Sequence, residues 1–77
     1  MVIGFIFIKT VPKQEVKAYR ALMQIPEVKE LNPLFGEYDL LVKVEAVDFT
    51  ELSRIIIEKI RKVPGVIDTI TLPGVKI

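Results

Sequence analysis

The residues best equipped for chemistry in this sequence stand together: Gly36, Glu37, Tyr38 and Asp39, read as GEYD. Two carboxylates this close can share acid and base work, or accept hydrogen bonds from an ammonium group. A glycine beside them can take a positive φ and let a ligand or another backbone approach, while turn amides left out of a ladder can donate to an anion. Tyr38 could wall such a pocket. Thr69 and Thr71 project from one face of a later strand and offer hydroxyls that donate or accept. A plainer reading covers the same residues: Gly36 makes a hairpin, Asp39 bonds a nearby turn amide, and the threonines suit an edge strand. Both readings stand on the residues alone.

Other routes to chemistry close quickly. Histidine and cysteine are absent, which removes the commonest general base, thiolate metal sites and disulfides. The single serine, Ser53, has no base to activate it, so no nucleophilic centre is expected. Carboxylates are scattered without calcium-loop spacing, no glycine-rich phosphate loop follows a strand, and VPGV (63–66) is a helix stop; no metal, cofactor or catalytic residue is expected. Lysine plus arginine number 11 and acids 10, interspersed, so direct nucleic-acid binding is not expected. Phe5 and Phe7 superficially resemble RNA-stacking aromatics, but the third strand lacks the basic-aromatic pattern and packing is the better reading. VIGFIFI and RIIIEKI are too short to span a bilayer and no charged leader is visible, so a cytoplasmic, membrane-free protein is expected. Abundant Ile, Val, Lys and Glu suit a heat-adapted source.

The elements that must position GEYD follow from periodicity and breakers. VIGFIFIK (2–9) is a strand rich in β-branched and aromatic residues. Pro12 suits the first turn of a helix of about three turns, with Val16, Tyr19 and Met23 on its apolar stripe. IPEVKELNPLF reads as turn plus strand, and Pro33, which cannot donate to a ladder, places that strand at a sheet edge. YDLLVKVEA pairs with it across the glycine turn as a hairpin. Asp48 opens a second helix, Glu51 completes an acidic capping box, and Phe49, Leu52, Ile56, Ile60 and Val63 form its core stripe. Pro64 and Gly65 end it, and VIDTITL (66–72) is the last strand.

This order predicts one α+β domain over residues 1–77, a ferredoxin-like βαββαβ sandwich with two helices on one face of a four-stranded antiparallel sheet. The first and third strands should be central. Strand one is apolar on both sides, with Val2, Gly4, Ile6 and Ile8 alternating against Ile3, Phe5, Phe7 and Lys9, whereas a solvated face would be polar. The helix-free face is therefore expected to dimerise sheet to sheet, which a marginally stable chain of this size needs.

From FIFIK through IPEVKE, GEYDLLVKVE, DFTEL and VPGVIDTITL, the chain resembles the RAM domain, the effector-sensing module of the Lrp/AsnC transcriptional regulators. The resemblance covers essentially the whole chain; its most specific part is G-x-Y-D, then a capped helix, then P-G-V-x-x-T-x-T. It implies a non-enzymatic, stand-alone sensing domain without the family's DNA-reading half, whose dimers assemble into rings, commonly octamers. It further implies that an amino-acid effector binds where dimers meet, at the turn of Gly36, Glu37, Tyr38 and Asp39, with Thr69 and Thr71 from a neighbour. Co-assembly with full-length Lrp/AsnC regulators is a further implication. The rival readings are a purely structural oligomerisation partner, a small dimeric ferredoxin-like enzyme, and an ACT-type sensing domain with the same element order.

Overall fold

The computed structural model describes residues 1–74. Strand β1 (Val2–Thr10) leads to helix α1 (Glu15–Met23), the hairpin of β2 (Val28–Pro33) and β3 (Leu40–Ala46), helix α2 (Phe49–Ile55) and strand β4 (Val66–Pro73). The sheet order is β2-β3-β1-β4 and every pairing is antiparallel. The first and third strands are thus central, and Pro33 lies on an edge strand, as its missing amide requires.

Alternation along β1 and β3 decides which side meets the helices. Gly4, Ile6, Ile8, Leu40, Val42, Val44 and Ala46 face inward and are buried. They pack with Ala18 and Leu22 of α1 and with Leu52, Ile55, Ile56 and Ile60. Each large side chain fully buried here contributes about 1.5–3 kcal/mol. A Cβ on Gly4 would lie 2.9 Å from both Leu52 methyls, so the bare backbone at Gly4 is what lets α2 settle this close to β1.

Helix α1 departs from its expected stripe, whereas the second helix buries Leu52, Ile56, Ile60 and Val63 as expected. Pro12 lies outside α1, in a turn where Lys13 adopts φ 73°. The inward positions are Ala18 and Leu22, with Tyr19 half-buried, while Val16 and Met23 are exposed. Small Ala18 faces the sheet because it admits close approach; the larger residues chosen from hydropathy flank it. In α2, Ile55 takes a core position and Phe49 stays largely exposed. Asp48 caps the helix by accepting the Glu51 amide at 2.8 Å, and the Glu51 carboxylate accepts from the Val47 amide at 3.2 Å, one residue before the box's usual target. The helix then widens into a π-helical turn (Ile56–Ile60) closed by the Arg61 amide donating to the Ile56 carbonyl at 2.8 Å.

The other sheet face carries no helix. Phe5 and Phe7 stand there beside Leu41 of β3 and Ile70 and Leu72 of β4, following the register Phe7↔Leu41, Phe7↔Ile70 and Phe5↔Leu72. Phe5, Ile70 and Leu72 are exposed.

Candidate functional site

Residues 34–39 connect β2 to β3. Their base is tied twice: the Leu34 amide donates to the Asp39 carbonyl at 2.8 Å, and the Asp39 amide donates to the Ile8 carbonyl at 2.9 Å. The β1–β3 ladder ends at Ile8↔Leu40, which leaves the Thr10 amide beyond its last rung. Asp39 Oδ2 accepts that amide at 2.7 Å. One oxygen of Asp39 is therefore committed to the fold. The neighbouring Thr10 hydroxyl is buried without a hydrogen-bond partner.

The tip of the connection is open. Gly36 has φ 118°, and nothing lies within 4 Å of where a Cβ would sit. The amides of residues 35–38 make no hydrogen bond among the described residues. Glu37 is exposed. Tyr38 lies half-buried on the open face, its ring 5.7 Å from that of Phe7 at 50°. Burial, and then the carboxylates of Glu37 and Asp68, hold its phenol above the ordinary tyrosine value. The turn thus offers unpaired donors, one free carboxylate and one aromatic wall. The donors suit an anion and the carboxylate an ammonium. With Oδ2 of Asp39 held by the Thr10 amide, its second oxygen and the Glu37 carboxylate are the acceptors the turn has left to offer.

Thr69 and Thr71 lie elsewhere in the chain. Their partners are Ile8 and Ile6, so both threonines belong to the helix side of β4, whereas Tyr38 packs on the open face. Thr69 Oγ1 accepts from Arg61 Nε at 3.2 Å. Thr71 borders a groove between β4 and α2. The structure brings Gly36, Glu37, Tyr38 and Asp39 together and keeps the two threonines apart from them within one protomer.

Two apolar grooves flank the helices. One, of about 500 Å³, runs between α1 and the hairpin, with Val16, Tyr19 and Leu34 as apolar walls and Glu15, Arg20 and Asp39 as charged ones. The other, of about 320 Å³, is the groove between β4 and α2. Among the described residues no group of three or more acidic, histidine or cysteine side chains could hold a metal ion. No helix there is long and apolar enough to cross a membrane.

The chain belongs to the Lrp/AsnC ligand-binding domain family, whose model matches residues 3–74. It is 56% identical over 52 residues to a homocitrate synthase of Sulfurisphaera tokodaii, covering 68% of this chain but 11% of that enzyme. It is 43% identical over 51 residues to an uncharacterised HTH-type transcriptional regulator of Pyrococcus horikoshii, covering 66% of this chain and 34% of the regulator. The chain thus spans a minor part of these curated relatives. Among solved structures, FFRP-DM1 superposes with a TM-score of 0.92 at 41% identity, covering 97% of this chain and 100% of that one. AsnC of E. coli gives 0.92 at 28%, covering 97% of this chain and 51% of that one. A Neisseria meningitidis transcriptional regulator solved as an L-Met complex shares the fold, with a TM-score of 0.87 at 22% identity over 97% of this chain and 50% of that one.

Sequence reasoning missed Arg61, Thr10 and Phe35. Arg61 reads as one more cation at a helix end, whereas it follows the π turn directly and bonds Thr69 of β4. Phe35 reads as part of a strand, whereas it stands fully exposed beside Gly36.

Proposed function

We propose that this chain is a non-enzymatic module that binds a small effector, an amino acid, and self-assembles. The observation that carries this reading is the open turn at residues 35–38, with unpaired amides beside a free Glu37 carboxylate, in a chain of a ligand-binding family. The amides would receive the effector's carboxylate, and Glu37 with the second oxygen of Asp39 its ammonium. Tyr38 would wall the side chain. The L-Met complex of the same-fold Neisseria regulator supports an amino acid as the ligand class. The apolar open face supports dimerisation through the sheets, and rings of such dimers, octamers in the family's common form, would bring Thr69 and Thr71 of a neighbour to the turn. Regulators such as the HTH-type relative are candidate partners in mixed assemblies.

Calorimetric titration with each of the twenty amino acids tests the ligand. At least one should release or absorb heat and raise the melting temperature, since a ligand at 100 times its Kd stabilises by about 2.7 kcal/mol. No heat and no thermal shift with any of them removes the effector reading. A second reading, a purely structural oligomerisation partner, is favoured by the bond from Thr10 to Asp39, which gives that acid a role in the fold alone. It predicts assemblies indifferent to amino acids.

A further inference from the structure

Where α1 meets solvent its charge is of one sign. Lys17 and Arg20 are exposed three residues apart on the helix, and Lys13 is exposed in the turn that leads into it. The salt bridges among the described residues join Lys43 to Glu30, Arg54 to Glu58 and Lys59 to Glu27, which leaves these three cations without partners there. The one acid of the helix, Glu15, is partly buried, and its Oε1 accepts the Lys13 amide at 3.2 Å.

Apolar surface adjoins those cations. Val16 and Met23, two helical turns apart, are 62% and 54% exposed. Such residues scattered singly need no account, but Val16 also walls the groove of about 500 Å³ with Tyr19, Pro33 and Leu34, and Arg20 lines the same groove. The groove exists because Ala18 and Leu22 turn to the core, which leaves the Val16 side of α1 facing the hairpin. Glu15 and Asp39 line it too, each accepting a backbone amide, so a side chain seated there must be apolar rather than acidic. A concave groove selects a projecting side chain, whereas a lipid surface is met by a convex apolar face. A second copy seated through this same surface would set Lys13, Lys17 and Arg20 against themselves.

We propose that the groove and the outer face of α1 dock an acidic amphipathic helix of another protein. One large apolar side chain of that helix sits among Val16, Tyr19, Pro33 and Leu34, a second covers Met23, and carboxylates beside them meet Lys13, Lys17 and Arg20. Anchors two turns apart on the partner match the spacing of Val16 and Met23, the ordinary reading of a helix laid along a groove. The cations at the rim speed encounter and reject basic partners, and the apolar anchors hold the complex. The contact uses neither the open sheet face nor residues 35–38, so it stands apart from the effector reading and from assembly through the sheets.

Fluorescence anisotropy tests it with a labelled synthetic helix of about 16 residues, leucines on one face and glutamates on both flanks, against the same peptide with lysine for every glutamate. The full chain should bind the acidic peptide saturably and the lysine peptide hardly at all, and added salt should weaken the binding. Val16→Asp, Met23→Asp and the paired change Lys17→Glu with Arg20→Glu should each weaken it by about tenfold. The paired variant should gain affinity for the lysine peptide. All four positions are exposed, so circular dichroism should report an intact fold. No saturable binding, equal binding of the two peptides, or affinity indifferent to these variants overturns the proposal. So does either rival occupant: vesicles of phosphatidylglycerol bound in place of the peptide assign the surface to lipid, and a fall in solution mass on Val16→Asp assigns the groove to a second copy.

Discussion

The carboxylate of Asp39 does at the hairpin base what a strand partner would otherwise do: it receives the Thr10 amide where the β1–β3 ladder has run out. Removing it leaves a part-buried donor unpaired, so Asp39→Ala is expected to cost about 1–3 kcal/mol, read from urea unfolding. Gly36 answers to backbone geometry alone. No atom lies within 4 Å of its missing Cβ, yet φ is 118°, so Gly36→Ala should cost about 1–3 kcal/mol through strain, without a clash. The sequence marks Gly36 as the turn residue, and the amide that Asp39 holds is Thr10 at the end of β1 rather than one within the turn. It could not show that Asp39 spends an oxygen on Thr10, because that bond spans residues 29 apart in the chain and depends on where β1 ends.

Elements whose signals are local were legible, and those that depend on neighbours were not. Pro33 marked an edge strand because a missing amide is a property of the residue itself. Asp48 and Glu51 marked the start of α2 for the same reason. The face of α1 differs from the expected stripe because apolar residues lie on two sides of this helix, and close packing against the sheet takes small Ala18 with Leu22 and leaves Val16 and Met23 exposed. The π turn leaves no pattern in RIIIEKI that differs from an α-helix. That turn presents Lys59 to Glu27, just ahead of β2, with Nζ 2.7 and 2.9 Å from the two carboxylate oxygens. The hydrogen bond from Lys59 holds the Glu27 carboxyl below its ordinary value of 4.5, against the opposing effect of burial. A lowered native value stabilises the fold above the unfolded value and loses that contribution as pH falls through the native one. The pair is partly exposed, so Lys59→Met should cost only about 0.2–1 kcal/mol at neutral pH. The difference should fade below the ordinary value of 4.5, which unfolding curves at neutral and acid pH would record.

At the scale of the whole molecule, βαββαβ order was legible because alternation, helical stripes and breakers fall in sequence along the chain. The site was legible only as its pieces. GEYD is contiguous, but Thr69 and Thr71 sit on the helix side of the sheet while Tyr38 packs on the open face, and nothing in a single chain's pattern says whether two copies bring them together. The exposed Phe5, Ile70 and Leu72 bear on the first level of assembly. Each large side chain covered there contributes about 1.5–3 kcal/mol, so Leu72→Lys should yield a less stable monomer, and sedimentation should show it. The wild type's melting temperature should rise with protein concentration, as it does for a dimer that unfolds to monomers.

The central claim, that this assembly responds to an amino acid, is tested most directly by the solution mass and melting temperature of the wild type, each measured with and without a saturating mixture of the twenty amino acids. A particle larger than a dimer whose mass or melting temperature shifts with the mixture is the expected result. The same mass and the same melting temperature in both conditions would contradict it and leave the GEYD turn as a contact between copies.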